Sequence, residues 1–163
     1  MDYYFAITGS DQCPLRGFTI SADAQYVYGV RFVLKSENVS ATEPPGVLHR
    51  RAQEQIEAYL QGRLRRFELP IKVSGSEFQQ RAWALMAEIP YGETVTYGDI
   101  GVRLGGMHLS RAVGSAAHRN PLPLVIPCHR VLGKNGNLTG FACGTETKAF
   151  LLSLEQKSLS GQG

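Results

Sequence analysis

Val73-Ser74-Gly75-Ser76-Glu77-Phe78-Gln79 divides this 163-residue chain into two unlike halves. Ser74-Gly75-Ser76 is small and flexible, as a boundary between structural units requires. Ser76 followed three residues later by Gln79 has the form of a capping box, in which each residue satisfies the other's backbone N–H at a helix start. Before this point the apolar residues run as aromatic and β-branched clusters, and after it they recur at helical spacing.

Upstream, Tyr3 to Thr8 reads as a strand, with Gly9 to Pro14 as a turn. Phe18-Thr19-Ile20 and Tyr26 to Val33 flank Ser21-Ala22-Asp23-Ala24-Gln25, which suits a hairpin connection. Lys35 to Gly46 is polar, ends in Pro44-Pro45-Gly46 and reads as a loop. Val47 to Gln61 is predicted helical, with Leu48, Ala52, Ile56, Tyr59 and Leu60 on one face and Gly62 placed to end it. Arg63, Arg65 and Arg66 read as a solvated helix end, and Phe67 to Val73 as a last strand.

Downstream, Phe78, Ala82, Leu85, Met86 and Ile89 lie at helical spacing until Pro90-Tyr91-Gly92 stops the run. Thr96 to Asp99 opens a second helix, with Ile100 and Leu104 inward and Gly105-Gly106 as its end. Leu109 to His118 is a third, and two short helices joined by a glycine-containing turn make a helix-turn-helix candidate. Gly133 to Gly144 is turn-rich, and Lys148 to Gln156 is a last helix with Phe150, Leu151 and Leu154 inward. The fold class is therefore α/β in the α+β sense. A small sheet-plus-helix domain over 1–75 precedes a mostly helical, winged-helix-like helix-turn-helix domain over 76–163.

A hydrophobic content of 43% and a charged content of 19% are ordinary for a globular chain. No apolar run approaches the length that crosses a bilayer, and Met1-Asp2 begins no secretory pattern, so a cytoplasmic protein without membrane contact is expected. Three cysteines, with no Cys-x-x-Cys, suggest neither a disulfide framework nor a zinc site. No metal and no cofactor are expected. Lys and Arg exceed Asp and Glu by 9 to 8 in residues 1–75 and by 8 to 6 in 76–163, so charge alone does not argue for nucleic acid.

The chemistry concentrates in Asn120-Pro121-Leu122-Pro123-Leu124-Val125-Ile126-Pro127-Cys128-His129-Arg130-Val131. Three prolines stiffen it, and Leu124 to Ile126 reads as a buried extended segment that ends just before a thiol. On these residues alone, Cys128 fits both a buried small hydrophobe and a mounted nucleophile.

Phe78-Gln79, Ile89-Pro90-Tyr91-Gly92-Glu93-Thr94, Tyr97-Gly98, Arg111-Ala112-Val113-Gly114, Asn120-Pro121, Pro127-Cys128-His129-Arg130, Thr139-Gly140, Lys148, Leu151-Leu152 and Glu155 follow one another in a characteristic order and spacing. Over about residues 75–156 this resembles the O6-alkylguanine-DNA alkyltransferases. The first half is similar to that family only in size and plan.

The resemblance implies irreversible, single-turnover transfer of an alkyl group from guanine O6 in double-stranded DNA to Cys128, and leaves thymine O4 open as a second donor. The protein would act as a monomer when free. It implies that His129 helps deprotonate Cys128, in the family through a water, and that Glu155 orients the imidazole. Taken alone, Glu155 reads as a solvent-facing helix acid. Tyr97 would bond the flipped base, and Asn120 would brace the helix-turn-helix against the active-site segment. Arg111 would enter the vacated stack, with Ala112, Gly114 and Ala117 beside it in a minor groove, and Arg130, Thr94 and Thr96 are expected on the DNA side as well. Pro123, Val131, Phe141, Ala142 and Cys143 would form the substrate pocket. Phe141 stands where the family commonly has tyrosine, and Ala142-Cys143-Gly144 replaces a usually glycine-rich pair, so bulky adducts are expected to fit less well than methyl. Leu109-Ser110 replaces a common alanine pair before Arg111. A lesion-binding relative without transfer, a cysteine-sensing helix-turn-helix regulator and a cysteine hydrolase are the rival readings. The cysteine at 128 disfavours the first, and the lack of a separate oxyanion-hole motif disfavours the last.

Overall fold

The computed structural model describes residues 1–7, 11–40, 43–139 and 143–161. Strands β1 (Asp2–Ala6), β2 (Leu15–Ala22) and β3 (Val27–Leu34) form an antiparallel sheet in sequential order. The β2–β3 connection is tied by the Asp23 carboxylate, which accepts from the backbone N–H groups of Gln25 and Tyr26 at 2.7 and 2.8 Å. Helix α1 (Val47–Leu60) follows the polar loop and buries His49, Ala52, Ile56 and Tyr59. Gly62 ends it at φ 72°, in the left-handed region that glycine adopts without strain.

The second half is helical. In α2 (Glu77–Ala87) the capping box forms as its sequence predicts: Ser76 Oγ accepts from Gln79 N–H at 3.1 Å, and Gln79 Oε1 accepts from Ser76 N–H at 3.0 Å. Two-residue strand β4 (Val95–Thr96) leads into α3 (Tyr97–Leu104), which Thr96 and Asp99 cap in the same reciprocal way. A 3-10 turn over Met107–Leu109 then leads into α4 (Ser110–His118), completing the helix-turn-helix. Trp83 Nε1 donates to the Ala116 carbonyl at 2.8 Å and so fixes α4 on α2. After a 3-10 turn over Cys128–Arg130, β5 (Val131–Leu132) pairs parallel with β4, and α5 (Gly144–Leu159) closes the described fold.

One apolar cluster runs through both halves, from Phe18, Ile20 and Ile56 to Met86, Leu122 and Leu151, all fully buried. Each such side chain contributes about 1.5–3 kcal/mol on leaving water. The two halves are also joined by backbone, since Val30 N–H donates to the Pro121 carbonyl at 2.8 Å.

Three expectations are corrected here. Phe67 to Val73 does not form a strand: only an isolated bridge joins Ile71 to Val27, because Pro70 supplies a carbonyl to Val27 N–H but has no N–H for a ladder. Leu124 to Ile126 is not extended either. Ile126 N–H donates to the Leu122 carbonyl at 2.8 Å, Pro123 and Ile126 bridge, and Leu124 stands at φ 74°, so the segment is a buried tight turn. Finally, α5 begins at Gly144 rather than Lys148 and runs on to Leu159.

Candidate active site

The site starts from Asn120. Its side-chain amide donates to the Ile126 carbonyl at 2.8 Å and its oxygen accepts from Leu122 N–H at 2.9 Å, closing the proline-rich turn from inside. Leu124 holds a left-handed conformation that costs a branched residue of order 1–3 kcal/mol. The turn is over-determined by these bonds and by burial, and it delivers Pro127 and Cys128 to the start of a 3-10 turn. Cys128 and His129 are thus successive residues of a helical turn, rather than opposite faces of an extended segment.

Cys128 is buried. Burial pushes its thiol up to about 11, opposed by the Asn120 amide and by the Lys148 charge. His129 is fully buried, and its Nε2 lies 2.8 Å from Glu155 Oε1 and 3.2 Å from the Tyr59 hydroxyl. The Tyr59 hydrogen goes to Glu155 Oε1 at 2.7 Å, so both groups facing Nε2 are acceptors and Nε2 carries the ring hydrogen. Nδ1 then holds the lone pair, and it has no hydrogen-bond partner among the described residues. Desolvation lowers the His129 pKa against the pull of Glu155, so the imidazole is neutral and able to take a proton.

Glu155 is fully buried yet anionic. Desolvation acts to raise its pKa, but hydrogen bonds from His129 and Arg130, with the Arg130 charge, bring it down to about 2. Arg130 grips the carboxylate through Nε, at 3.1 Å from each oxygen, and through a second nitrogen at 2.8 Å from Oε1. Its remaining arm donates to the Ile89 carbonyl at 2.7 Å, while Gly92 N–H donates to Oε2 at 3.1 Å. This corrects the expectation of Arg130 as a DNA contact: it is 6% exposed and spends its donors on Glu155 and the Ile89 carbonyl.

The β4–β5 pairing, Val95 with Val131 and Thr96 with Leu132, sets Tyr97 beside the Cys128 turn. Tyr97 is buried, its hydroxyl donates to the Thr139 carbonyl, and desolvation raises it to about 12. Lys148, fully buried on α5, donates to the carbonyls of Val131 at 2.5 Å and Thr139 at 3.1 Å and to the Tyr97 hydroxyl at 3.3 Å. Desolvation brings its ammonium down to about 8. Pro123 and Val131 are buried in the same region, and Cys143 is half-buried with its thiol raised to about 12, first by desolvation and then by Cys128. Phe141 and Ala142 lie outside the described residues.

On the helix-turn-helix, α4 exposes Arg111 and Ala112, leaves Gly114 half-covered and buries Val113, Ala116 and Ala117. Ala117 therefore belongs to the packing against the core, which corrects its assignment to a DNA-facing surface. Thr94 is exposed, whereas Thr96 is half-buried and spends its hydroxyl on the α3 cap. The residues that sequence reasoning left without a role are Tyr59 and Lys148. The inward face of α1 marked Tyr59 as core, and only the fold shows where its hydroxyl goes.

Comparison with known proteins fits this arrangement. A family model described as the 6-O-methylguanine DNA methyltransferase DNA-binding domain matches residues 77–157. A methylated-DNA–protein-cysteine methyltransferase of Methanosarcina acetivorans is 40% identical over 155 residues, covering 93% of this chain and 97% of the relative. The chain belongs to the methylated-DNA–protein-cysteine methyltransferase family. A constitutive member from Bacillus subtilis is 44% identical over 123 residues, covering 75% of this chain and 73% of the relative. Among solved structures, Mycobacterium tuberculosis OGT in complex with DNA superimposes with a TM-score of 0.82 at 32% identity, over 96% of this chain and 93% of that one. The family likeness reaches through the N-terminal half, which the motifs alone did not reveal.

Proposed function

We propose that this protein repairs O6-alkylated guanine in double-stranded DNA by taking the alkyl group onto Cys128, once per molecule. The observation that carries the reading is the buried Cys128–His129–Glu155 constellation, in which the hydrogen on Nε2 leaves Nδ1 as the only proton acceptor of the ring. A thiol at about 11 is a poor nucleophile at neutral pH, so it needs such a base. The Cys128 proton passes to His129, and Glu155 stabilises the imidazolium that forms. The sulfur attacks the alkyl carbon and the carbon–O6 bond breaks. Its electron pair goes to the base, which takes up a proton and leaves as guanine. The product thioether has no leaving group, so the protein is spent.

We assign the protonation of the departing base to Tyr97 and Lys148, which are hydrogen-bonded to each other beside the Cys128 turn. For the base to arrive there it must leave the stack, at a cost of a few kcal/mol. Arg111, with Ala112 and Gly114, is the exposed part of α4 suited to fill the gap from the minor groove. We assign residues 76–163 to transfer and DNA contact and residues 1–75 to support.

The test is intact mass after incubation with a duplex carrying one O6-methylguanine, against undamaged duplex and a Cys128→Ser protein. The expected result is a gain of one methyl group, mapped to Cys128 and absent from both controls. Tight lesion binding with no gain would leave a lesion-binding protein instead.

A further inference from the structure

We propose that Tyr59, on α1 of the N-terminal half, is a positioning residue of the transfer site: its hydroxyl fixes the tautomer and the seat of His129. The inference rests on the alkyl-transfer reading above and deepens it. Tyr59 is fully buried, and its hydroxyl meets both members of the His129–Glu155 dyad. It lies 2.7 Å from Glu155 Oε1 and 3.2 Å from His129 Nε2.

The donor inventory leaves one consistent arrangement. A phenol has one hydrogen and lone pairs to spare, and a buried carboxylate beside it takes that hydrogen. Its oxygen then faces Nε2 as an acceptor, and so does Glu155 Oε1. A ring with hydrogen only on Nδ1 would set its Nε2 lone pair against both oxygens in a desolvated space. The alternative tautomer is thereby penalised from two directions, and the proton-accepting lone pair is kept on Nδ1. The hydroxyl itself stays neutral: desolvation, then the Glu155 charge, hold its pKa well above the ordinary tyrosine value. Arg130 and the Tyr91 ring are the other groups around it, and Arg130 already has its donors on Glu155 and Ile89. The tyrosine ring centroid lies 5.6 Å from that of Phe67, 6.1 Å from that of Tyr91 and 6.3 Å from that of the imidazole.

This gives the first half a part in the chemistry. Without the hydroxyl, Glu155 alone would hold Nε2–H, and one acceptor on a two-oxygen carboxylate fixes a ring less tightly than two flanking groups do.

The experiment compares wild type, Tyr59→Phe and Phe67→Leu, each also in a Cys128→Ser background. Single-turnover methyl transfer is followed with protein in excess over an O6-methylguanine duplex. Lesion affinity is measured in the Cys128→Ser background, and the His129 ring nitrogens are observed by 15N NMR. Tyr59→Phe is expected to slow transfer about tenfold, the loss of one hydrogen bond to a charged partner. Its lesion affinity should stay within about twofold, and the Nδ1 and Nε2 signals should move toward each other as the tautomers mix. Phe67→Leu loosens the same packing without touching a polar atom, and should transfer at the wild-type rate per folded molecule. A wild-type rate and unmoved nitrogen signals in Tyr59→Phe would overturn the inference alone. An equal slowing in Phe67→Leu would do so too, by reducing Tyr59 to packing. A wild-type protein that gains no methyl group would overturn the transfer reading and this inference together.

Discussion

The thiol of Cys128 is protonated at neutral pH, because burial raises it to about 11. Its reactivity in the free protein should therefore climb with pH toward that value, with no plateau near pH 7. Iodoacetamide labelling of Cys128, followed by peptide mass across pH 6 to 10, checks this; full reactivity by pH 7 would mean a preformed thiolate. Glu155 is a second residue with a sharp expectation. Glu155→Gln removes the charge that Arg130 faces at 2.8 Å, and one member of a buried pair left alone costs about 3–5 kcal/mol. Denaturant unfolding should show that loss, and the rate of methyl transfer should fall with it, because the imidazolium loses its counter-charge. Cys128 and His129 were legible through the spacing of the motifs around them. Arg130 was not: nothing near it in the chain signals a partner 25 positions later, and an arginine beside a candidate nucleophile reads as basic surface. Lys148 and Glu155 share that problem, since a charged residue on a helix is solvated unless the fold supplies donors and acceptors.

Helix α4 separates stability from DNA affinity at one position. A methyl group added at Gly114 would meet no atom within 4 Å beyond the helix's own adjoining backbone and chain neighbours, and glycine inside a helix is worth about 0.5–1 kcal/mol less than alanine. Gly114→Ala should therefore melt later than wild type. Should α4 enter the minor groove as proposed, the same methyl occupies the contact face and duplex affinity falls. Thermal melting and titration of lesion duplex into Cys128→Ser protein at fixed salt decide it; unchanged affinity would take Gly114 out of the interface. Gly101 behaves oppositely, because a Cβ there would stand 2.9 Å from the Gly106 carbonyl oxygen, and Gly101→Ala forces the turn apart. Most elements were legible because periodicity and caps agree: Ser76 with Gln79 and Thr96 with Asp99 start their helices where the residues predict. The failures lie at prolines. Pro70 breaks the last strand of the first half, and the three prolines after Asn120 conceal a turn whose geometry depends on that asparagine's tertiary bonds.

Across the whole molecule, the Tyr59–Glu155–His129–Arg130 cluster and the Val30–Pro121 backbone bond tie the halves together, so the site and the global fold share an ionisation. The sequence set out one domain over 1–75 and another over 76–163; the buried apolar residues of the two form one continuous cluster. That sharing has a pH signature. Glu155 titrates at about 2 in the fold against 4.5 for the ordinary carboxyl, so its contribution is complete above 4.5 and drains as pH falls toward 2. His129 is lowered from 6.5, so it binds its proton more readily once unfolded, and its contribution starts to drain as pH drops below 6.5. Both signs agree, and acidification should lower the melting temperature from about pH 6.5 downward, more steeply below 4.5. Exposed Asp23 and half-buried Glu37, also lowered by backbone N–H bonds, add to the lower limb but lie outside the cluster. Glu155→Gln isolates the cluster's share: its melting curve should start lower at pH 7 and fall less between pH 4.5 and 2 than that of wild type. Parallel curves for the two proteins would mean that the buried carboxylate does not carry the acid sensitivity of the fold.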